Sequence, residues 1–169
     1  MHPVRRIALV GMPASGKSTV GRNLAARIGL PFIDLDDIIE AEAGASCGEI
    51  FAREGEPSFR ARESRALGQV ASGGPVVMAT GGGCILAEAN RTVLRDNFTV
   101  VWLVTEPETA ARRSAGGARP LLAGADPLTR MKELHAARRG HYSACADLSF
   151  ITDNANVHQI VKAIVDALG

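Results

Sequence analysis

The segment Gly11-Met12-Pro13-Ala14-Ser15-Gly16-Lys17-Ser18-Thr19 sets glycines at 11 and 16 directly before a lysine and two hydroxyls. That spacing suits a polyphosphate. Backbone N–H groups surround the phosphates, Lys17 reaches the outer ones as a point charge, and the Ser18 hydroxyl can ligate magnesium. The apolar run at residues 7–10 precedes the segment and an amphipathic stretch at residues 20–28 follows it, so strand, phosphate-binding loop and helix start stand in order. The chain is therefore read as binding a nucleoside triphosphate. An ordinary glycine-rich turn explains neither the lysine nor the hydroxyls. Ala14 stands where many such loops carry glycine, which narrows the conformations open to the loop.

Asp34 and Asp36 lie two apart at the end of a second apolar run, and in extended chain both side chains leave the same face. Beside a triphosphate, Asp34 can orient magnesium through water, while Asp36 accepts a hydrogen bond or a proton from the hydroxyl that attacks the γ-phosphorus. The structural alternative is that Asp36 caps a helix through Ile38, Ile39 and Ala41. Thr80-Gly81-Gly82-Gly83 lets the main chain approach a ligand closely, whereas a plain strand-to-helix turn needs one glycine and leaves two unexplained. Arg60 stands three residues before Glu63, on the same face of a helix, so its guanidinium is fixed and can grip a substrate carboxylate bidentately. A solvated surface pair is the alternative. Arg138, in a helix running from Thr129 towards Tyr142 and beside Arg139, carries the same ambiguity. The glycine-rich segment 114–124, with Arg119-Pro120-Leu121-Leu122 inside it, reads as a mobile lid that closes over phosphate and excludes water, against the alternative of a disordered surface loop.

The elements that must hold these residues recur as apolar runs at 7–10, 32–33, 76–79, 99–104 and 148–151, separated by segments of helical length. Five strands alternating with helices predict an α/β fold, a parallel sheet between two helical layers, with strands buried on both faces. Ligands then gather at the carboxyl ends of the strands. The phosphate loop, Asp34 to Asp36 and the glycine run each follow a strand, so three strand ends converge on one cleft. With 169 residues, of which 46% are hydrophobic, the chain is expected to form a single domain over 1–169 with one core. A net charge of +1 argues against a general nucleic-acid-binding face. No apolar stretch is long enough to span a bilayer and the N-terminus lacks a signal-peptide core, so a cytoplasmic location is expected. Cys47, Cys84 and Cys145, odd in number and widely spaced, fit neither a disulfide framework nor a zinc site and read as small reduced filler.

Taken together, Gly-x-x-x-x-Gly-Lys-Ser-Thr, Asp34-x-Asp36, Gly55-Glu-x-x-Phe-Arg60-x-x-Glu63, Thr80-Gly-Gly-Gly83, Arg119-Pro-Leu-Leu122 and Arg138-x-x-x-Tyr142 resemble the shikimate kinase family, in order and spacing, over essentially the whole chain. The resemblance implies a P-loop kinase architecture with a mobile lid at about 112–125, a substrate-binding region at about 34–62, and ATP-dependent phosphorylation of the 3-hydroxyl of shikimate in chorismate biosynthesis. It implies Gly11, Ala14, Ser15, Gly16, Lys17, Ser18 and Thr19 on the ATP phosphates, Ser18 and Asp34 on Mg2+, and Asp36 on the ring hydroxyls of shikimate. Arg60 and Arg138 would pair with the shikimate carboxylate, Gly81, Gly82 and Gly83 would line its ring, and Arg119 would contact the transferring phosphoryl group. Lys17, Asp36 and Arg119 become the expected catalytic residues, Arg113 and Asn154 the expected neighbours of the adenine, and a monomer the expected state. Gly140 departs from the proline often found between the matching arginine and tyrosine. A gluconate kinase of the same architecture and a silent kinase-like regulator are the rival readings. The triple glycine and the Arg60–Glu63 pair oppose the first, and the full set Lys17, Ser18, Asp34, Asp36 and Arg119 opposes the second.

Overall fold

In the computed structural model, which describes residues 5–114 and 126–169, each expected strand is present. They are β1 Arg6–Val10, β2 Phe32–Asp34, β3 Val76–Ala79, β4 Thr99–Val104 and β5 Leu148–Ile151. All neighbours pair in parallel, in the order β2-β3-β1-β4-β5. The helices are α1 Lys17–Ile28, α2 Leu35–Ala43, α3 Cys47–Ala71, α4 Glu88–Asn97, α5 Pro107–Ser114, α6 Pro127–Cys145 and α7 Val157–Leu168. Arg119 and most of the expected lid lie outside the described residues.

Alternation along the central strands feeds two separate cores. Ile7 and Leu9 of β1 and Val101 and Leu103 of β4 pack with Val20 and Leu24 of α1 and Ile160 and Ile164 of α7. Ala8, Val10 and Val100 face the other way, onto Leu35 and Ile39 of α2, Leu67 of α3 and Tyr142 of α6. The result is three layers, helices against both faces of one sheet. The expectation that every strand is buried on both faces holds for β1, β3 and β4 and fails at the edges. The residues of β2 are all half-buried, and in β5 half-buried Leu148 and Phe150 alternate with exposed Ser149 and Ile151, the latter 71% exposed. Each edge strand has one neighbour, and α7 covers only one side of β5.

Three local devices aim the functional segments at the carboxyl end of the sheet. Gly16, at the N-cap of α1, adopts φ 91° and offers no side chain to cap the helix, leaving the first-turn N–H groups to an anion. Thr80 donates to the Leu9 carbonyl from both its backbone N–H (3.1 Å) and its hydroxyl (2.9 Å), tying the end of β3 to that of β1. Within α3, Gly55 (φ 81°, ψ 172°) breaks the helical path two residues before Pro57, which has no N–H to give, so the second half of α3 starts afresh and carries Arg60 and Glu63 inward.

Candidate active site

The phosphate loop is held by backbone geometry. A Cβ at Gly11 would lie 2.7 Å from the Leu103 carbonyl and 2.9 Å from Ser15 Oγ, so the tight exit from β1 admits no side chain. Ala14 adopts φ 63°, a left-handed conformation that disfavours an L side chain. The buried Lys17 ammonium donates to the carbonyls of Gly11 and Met12, each at 2.8 Å, which sets its charge across the loop. Ser15 Oγ is buried with no hydrogen-bond partner among the described residues.

Beside the loop, Ser18 Oγ donates to Asp34 Oδ2 at 2.6 Å, and Asp34 Oδ1 accepts from the Asp36 N–H at 3.0 Å. The cap of α2 is therefore Asp34 and not Asp36. The strand also ends at Asp34, so the two acids do not share a strand face. The capping turn places Asp36 instead, largely buried, with Oδ1 unpartnered among the described residues. Burial pushes its carboxyl up to about 6, the Asp34 charge adding to the rise and Lys17 opposing it.

Each glycine of the run makes room for a different partner. A Cβ at Gly81 would lie 2.9 Å from Glu63 Oε2 and 3.4 Å from Asp36 Oδ1. At Gly82 it would meet Pro13 Cδ at 2.9 Å and Arg138 Nη1 at 3.3 Å, and at Gly83 it would run into the Arg60 guanidinium. This ridge accounts for all three glycines. The Arg60–Glu63 pair is no surface pair. Glu63 is 0% exposed and accepts from Arg60 Nη1 at 3.0 Å, while the other side of the guanidinium donates to Glu56 at 3.2 and 3.3 Å. The Arg60 guanidinium also lies over the rings of Phe51 and Phe59. Burial raises the Glu63 carboxyl, with Arg60 pulling it back. Arg138 is buried too, its Nη1 has no hydrogen-bond partner among the described residues, and burial pulls its guanidinium below the ordinary arginine range. Asp36 Oδ1, Glu63 Oε2 and Arg138 Nη1 thus lie along one ridge, two acids and an arginine with buried atoms still to be paired, a pattern that calls for a polar, charged ligand.

Arg113 closes the far side. Its guanidinium donates to the Thr152 carbonyl at 3.1 Å and makes longer contacts of 3.4 Å to Thr152 Oγ1 and the Ala14 carbonyl. Asn154 is exposed in the same loop, two residues beyond Thr152. The structure therefore gathers Lys17, Ser18, Asp34, Asp36, Arg60, the three glycines, Arg138 and Arg113 around the phosphate loop and the glycine ridge, whereas Thr19 and Asn154 are exposed. Sequence reading missed the Thr80 tie, the contact of Pro13 with Gly82, the Thr105–Thr152 hydroxyl pair at 2.6 Å beneath Arg113, and the donation from Tyr142 Oη to the Gly82 carbonyl at 2.6 Å. Only the last left a signal, Tyr142 standing one helical turn after Arg138. All three cysteines are free thiols. Cys84 and Cys145 are buried, and the half-buried Cys47 thiol is pushed up to about 12 by desolvation and by nearby Asp36, which leaves it unreactive.

A family model described as shikimate kinase matches residues 13–169. A shikimate kinase of Symbiobacterium thermophilum is 46% identical over 96% of this chain and 95% of its own length. A shikimate kinase of Ruegeria pomeroyi is 42% identical over 97% and 85%. Among solved structures, the shikimate kinase of Acinetobacter baumannii in complex with shikimate superposes with a TM-score of 0.94 at 35% identity, covering 98% of this chain and 93% of that one. A gluconokinase of Sinorhizobium meliloti 1021 reaches a TM-score of 0.64 at 19% identity over 99% and 93%, a likeness of fold alone.

Proposed function

The chain belongs to the shikimate kinase family, and from that premise we propose how its own residues transfer the γ-phosphoryl group of ATP to the 3-hydroxyl of shikimate. Arg60 and Arg138 hold the shikimate carboxylate, the Gly81–Gly83 ridge supports its ring, and Asp36 accepts a hydrogen bond from the 3-hydroxyl. As that oxygen bonds to the γ-phosphorus, its proton passes to Asp36 and the bond from the γ-phosphorus to the bridging oxygen breaks, releasing ADP. Lys17 and the N–H groups of residues 14–19 stabilise the charge on the phosphates. Arg119, outside the described residues, is assigned to the transferring phosphoryl group, and Arg113 and Asn154 flank the nucleoside.

The family's reaction needs a divalent metal. The Ser18 hydroxyl and Asp34 carboxylate, already in contact at 2.6 Å, are hard oxygen donors at the phosphate loop, and we assign them to Mg2+, Asp34 through water. When bound, the ion would neutralise phosphate charge. Among the described residues no helix is long and apolar enough to cross a membrane. The enzyme is proposed to work as a monomer of one domain in the cytoplasm, with ATP and shikimate as its small-molecule partners and with neither nucleic acid nor membrane among them.

The observation that carries this reading is the opposition of charge along the glycine ridge. Arginines stand at one end and Asp36 at the other, matching a ligand with a carboxylate on one side and hydroxyls on the other. ADP release with ATP and magnesium, compared for shikimate, gluconate and no acceptor, tests it. Shikimate-dependent turnover is the expected result. Gluconate-dependent turnover would overturn the acceptor, and silence with both in folded, ATP-binding protein would overturn the kinase reading.

A further inference from the structure

Tyr142 has no part in the assignments above, yet it is held at three points. It is buried to 1% exposure, its ring stacks on Trp102 of β4 at 5.8 Å and 26°, and its hydroxyl donates to the Gly82 carbonyl at 2.6 Å. A buried phenol needs a partner for its O–H. This one takes the central carbonyl of the glycine ridge, which links α6 to the loop after β3. Gly82 is the ridge residue whose missing Cβ makes room for Pro13 of the phosphate loop and for Arg138 Nη1. Arg138 stands four residues before Tyr142 on α6, hence on the same helical face. Arg138 Nη1 has no partner among the described residues, but the Arg138 side chain interacts directly with the Tyr142 side chain. The Tyr142 hydroxyl, bonded to the Gly82 carbonyl, therefore joins that arginine to the ridge.

We propose that Tyr142 is a positioning residue for the acceptor: by pinning the Gly82 carbonyl to α6 it sets the spacing between the ridge and Arg138, so that the shikimate carboxylate meets the guanidinium while the ring rests on the glycines. This rests on the assignment of Arg138 and the ridge to shikimate. Tyr142 touches neither substrate and acts through Gly82 and Arg138. Its loss is felt in the binding of one substrate and not in the chemical step.

Tyr142→Phe removes the donor and keeps the ring. KM for shikimate is expected to rise about 5- to 30-fold, as for a lost buried hydrogen bond, with kcat and KM for ATP within about twofold. In an Arg138→Ala background the same change should add less than about twofold, since both act on one contact. Trp102→Phe weakens the stack but keeps the hydroxyl, so it should lower the melting temperature and leave KM for shikimate unchanged. Equal rises in KM for both substrates, full additivity with Arg138→Ala, or an equal KM effect from Trp102→Phe would each overturn the proposal. Tyr142 is the single tyrosine of the chain, so incorporation of 3-fluorotyrosine reports on it alone, whether or not Tyr142→Phe folds. Its 19F resonance is expected to shift as shikimate saturates the protein, and a resonance unmoved by shikimate would also overturn the proposal. Arg138→Ala with an unchanged KM for shikimate would instead remove the underlying assignment.

Discussion

At the carboxyl end of β1 the protein presents one unbroken segment, residues 11–19, and builds its site mainly from main chain. Two glycines and Ala14 take positive φ values, the first turn of α1 is left without a side-chain cap, and Lys17 bonds to carbonyls of its own loop. At the carboxyl end of β3 the acceptor side is assembled from four separated segments, with Asp36 on α2, Arg60 and Glu63 on α3, the ridge at 81–83 and Arg138 on α6. There the work falls to side chains, and several are buried with atoms unpaired among the described residues. A phosphate loop recognises a shape that every nucleoside triphosphate shares, so repeated backbone N–H groups suffice. An acceptor has one carboxylate and particular hydroxyls. Its site needs charges at fixed distances, kept desolvated at a cost in stability until the ligand pairs them. The two regions should therefore fail separately and in different ways.

The largest separation is expected from Asp36→Asn. Turnover should fall on the order of 10²- to 10⁴-fold, while ATP affinity from equilibrium titration stays within about twofold. A matching loss of ATP binding would merge the two regions into one.

The same substitution should reveal what the acceptor side costs. Asp36 titrates at about 6 rather than 3.8 because of burial, so the folded state holds the proton more tightly than the unfolded chain. The stability from that proton is complete below about pH 4 and is lost as the pH rises through 6. An amide at this position does not titrate and has no such loss. Asp36→Asn should therefore match the wild type near pH 4 and exceed it by up to about 3 kcal/mol at pH 8, as read from denaturant melts at both pH values. A pH-independent difference would contradict the desolvation argument.

A steric break comes next. Gly83 has φ −96° and tolerates a side chain locally, but a Cβ there collides with the Arg60 guanidinium. Gly83→Ala should raise KM for shikimate about 10-fold or more by misplacing the arginine, with KM for ATP unchanged in steady-state assays. The smallest effect belongs to the loop. Ala14→Gly relieves a left-handed alanine but adds freedom to the unfolded chain, so thermal melts should show a stabilisation below about 1 kcal/mol, with ATP affinity within about threefold.

The same contrast explains what the sequence revealed. The donor site was legible because its residues are contiguous and their spacing is the mechanism. The five strands were legible as apolar runs, although uneven cover at β2 and β5 is a tertiary property that no run of residues announces. On the acceptor side Asp36, Arg60, Arg138 and the glycines were legible as residues, but their relation was not. That Asp34 and not Asp36 caps α2 depends on where the strand stops. That Glu63 is fully buried depends on the kink at Gly55. Thr80, Pro13 and the Tyr142 hydroxyl act by touching main chain or glycine far away in sequence, a role with no local pattern.

Separability is tested most directly by titrating shikimate and ATP, in turn, into folded Arg60→Ala. Removing the guanidinium takes away one side of a carboxylate pair and leaves Glu63 buried without its arginine. Shikimate binding is predicted to weaken by about 2–5 kcal/mol, with ATP affinity within about twofold of the wild type. Equal losses for the two ligands would contradict the division of the site into a main-chain donor half and a side-chain acceptor half.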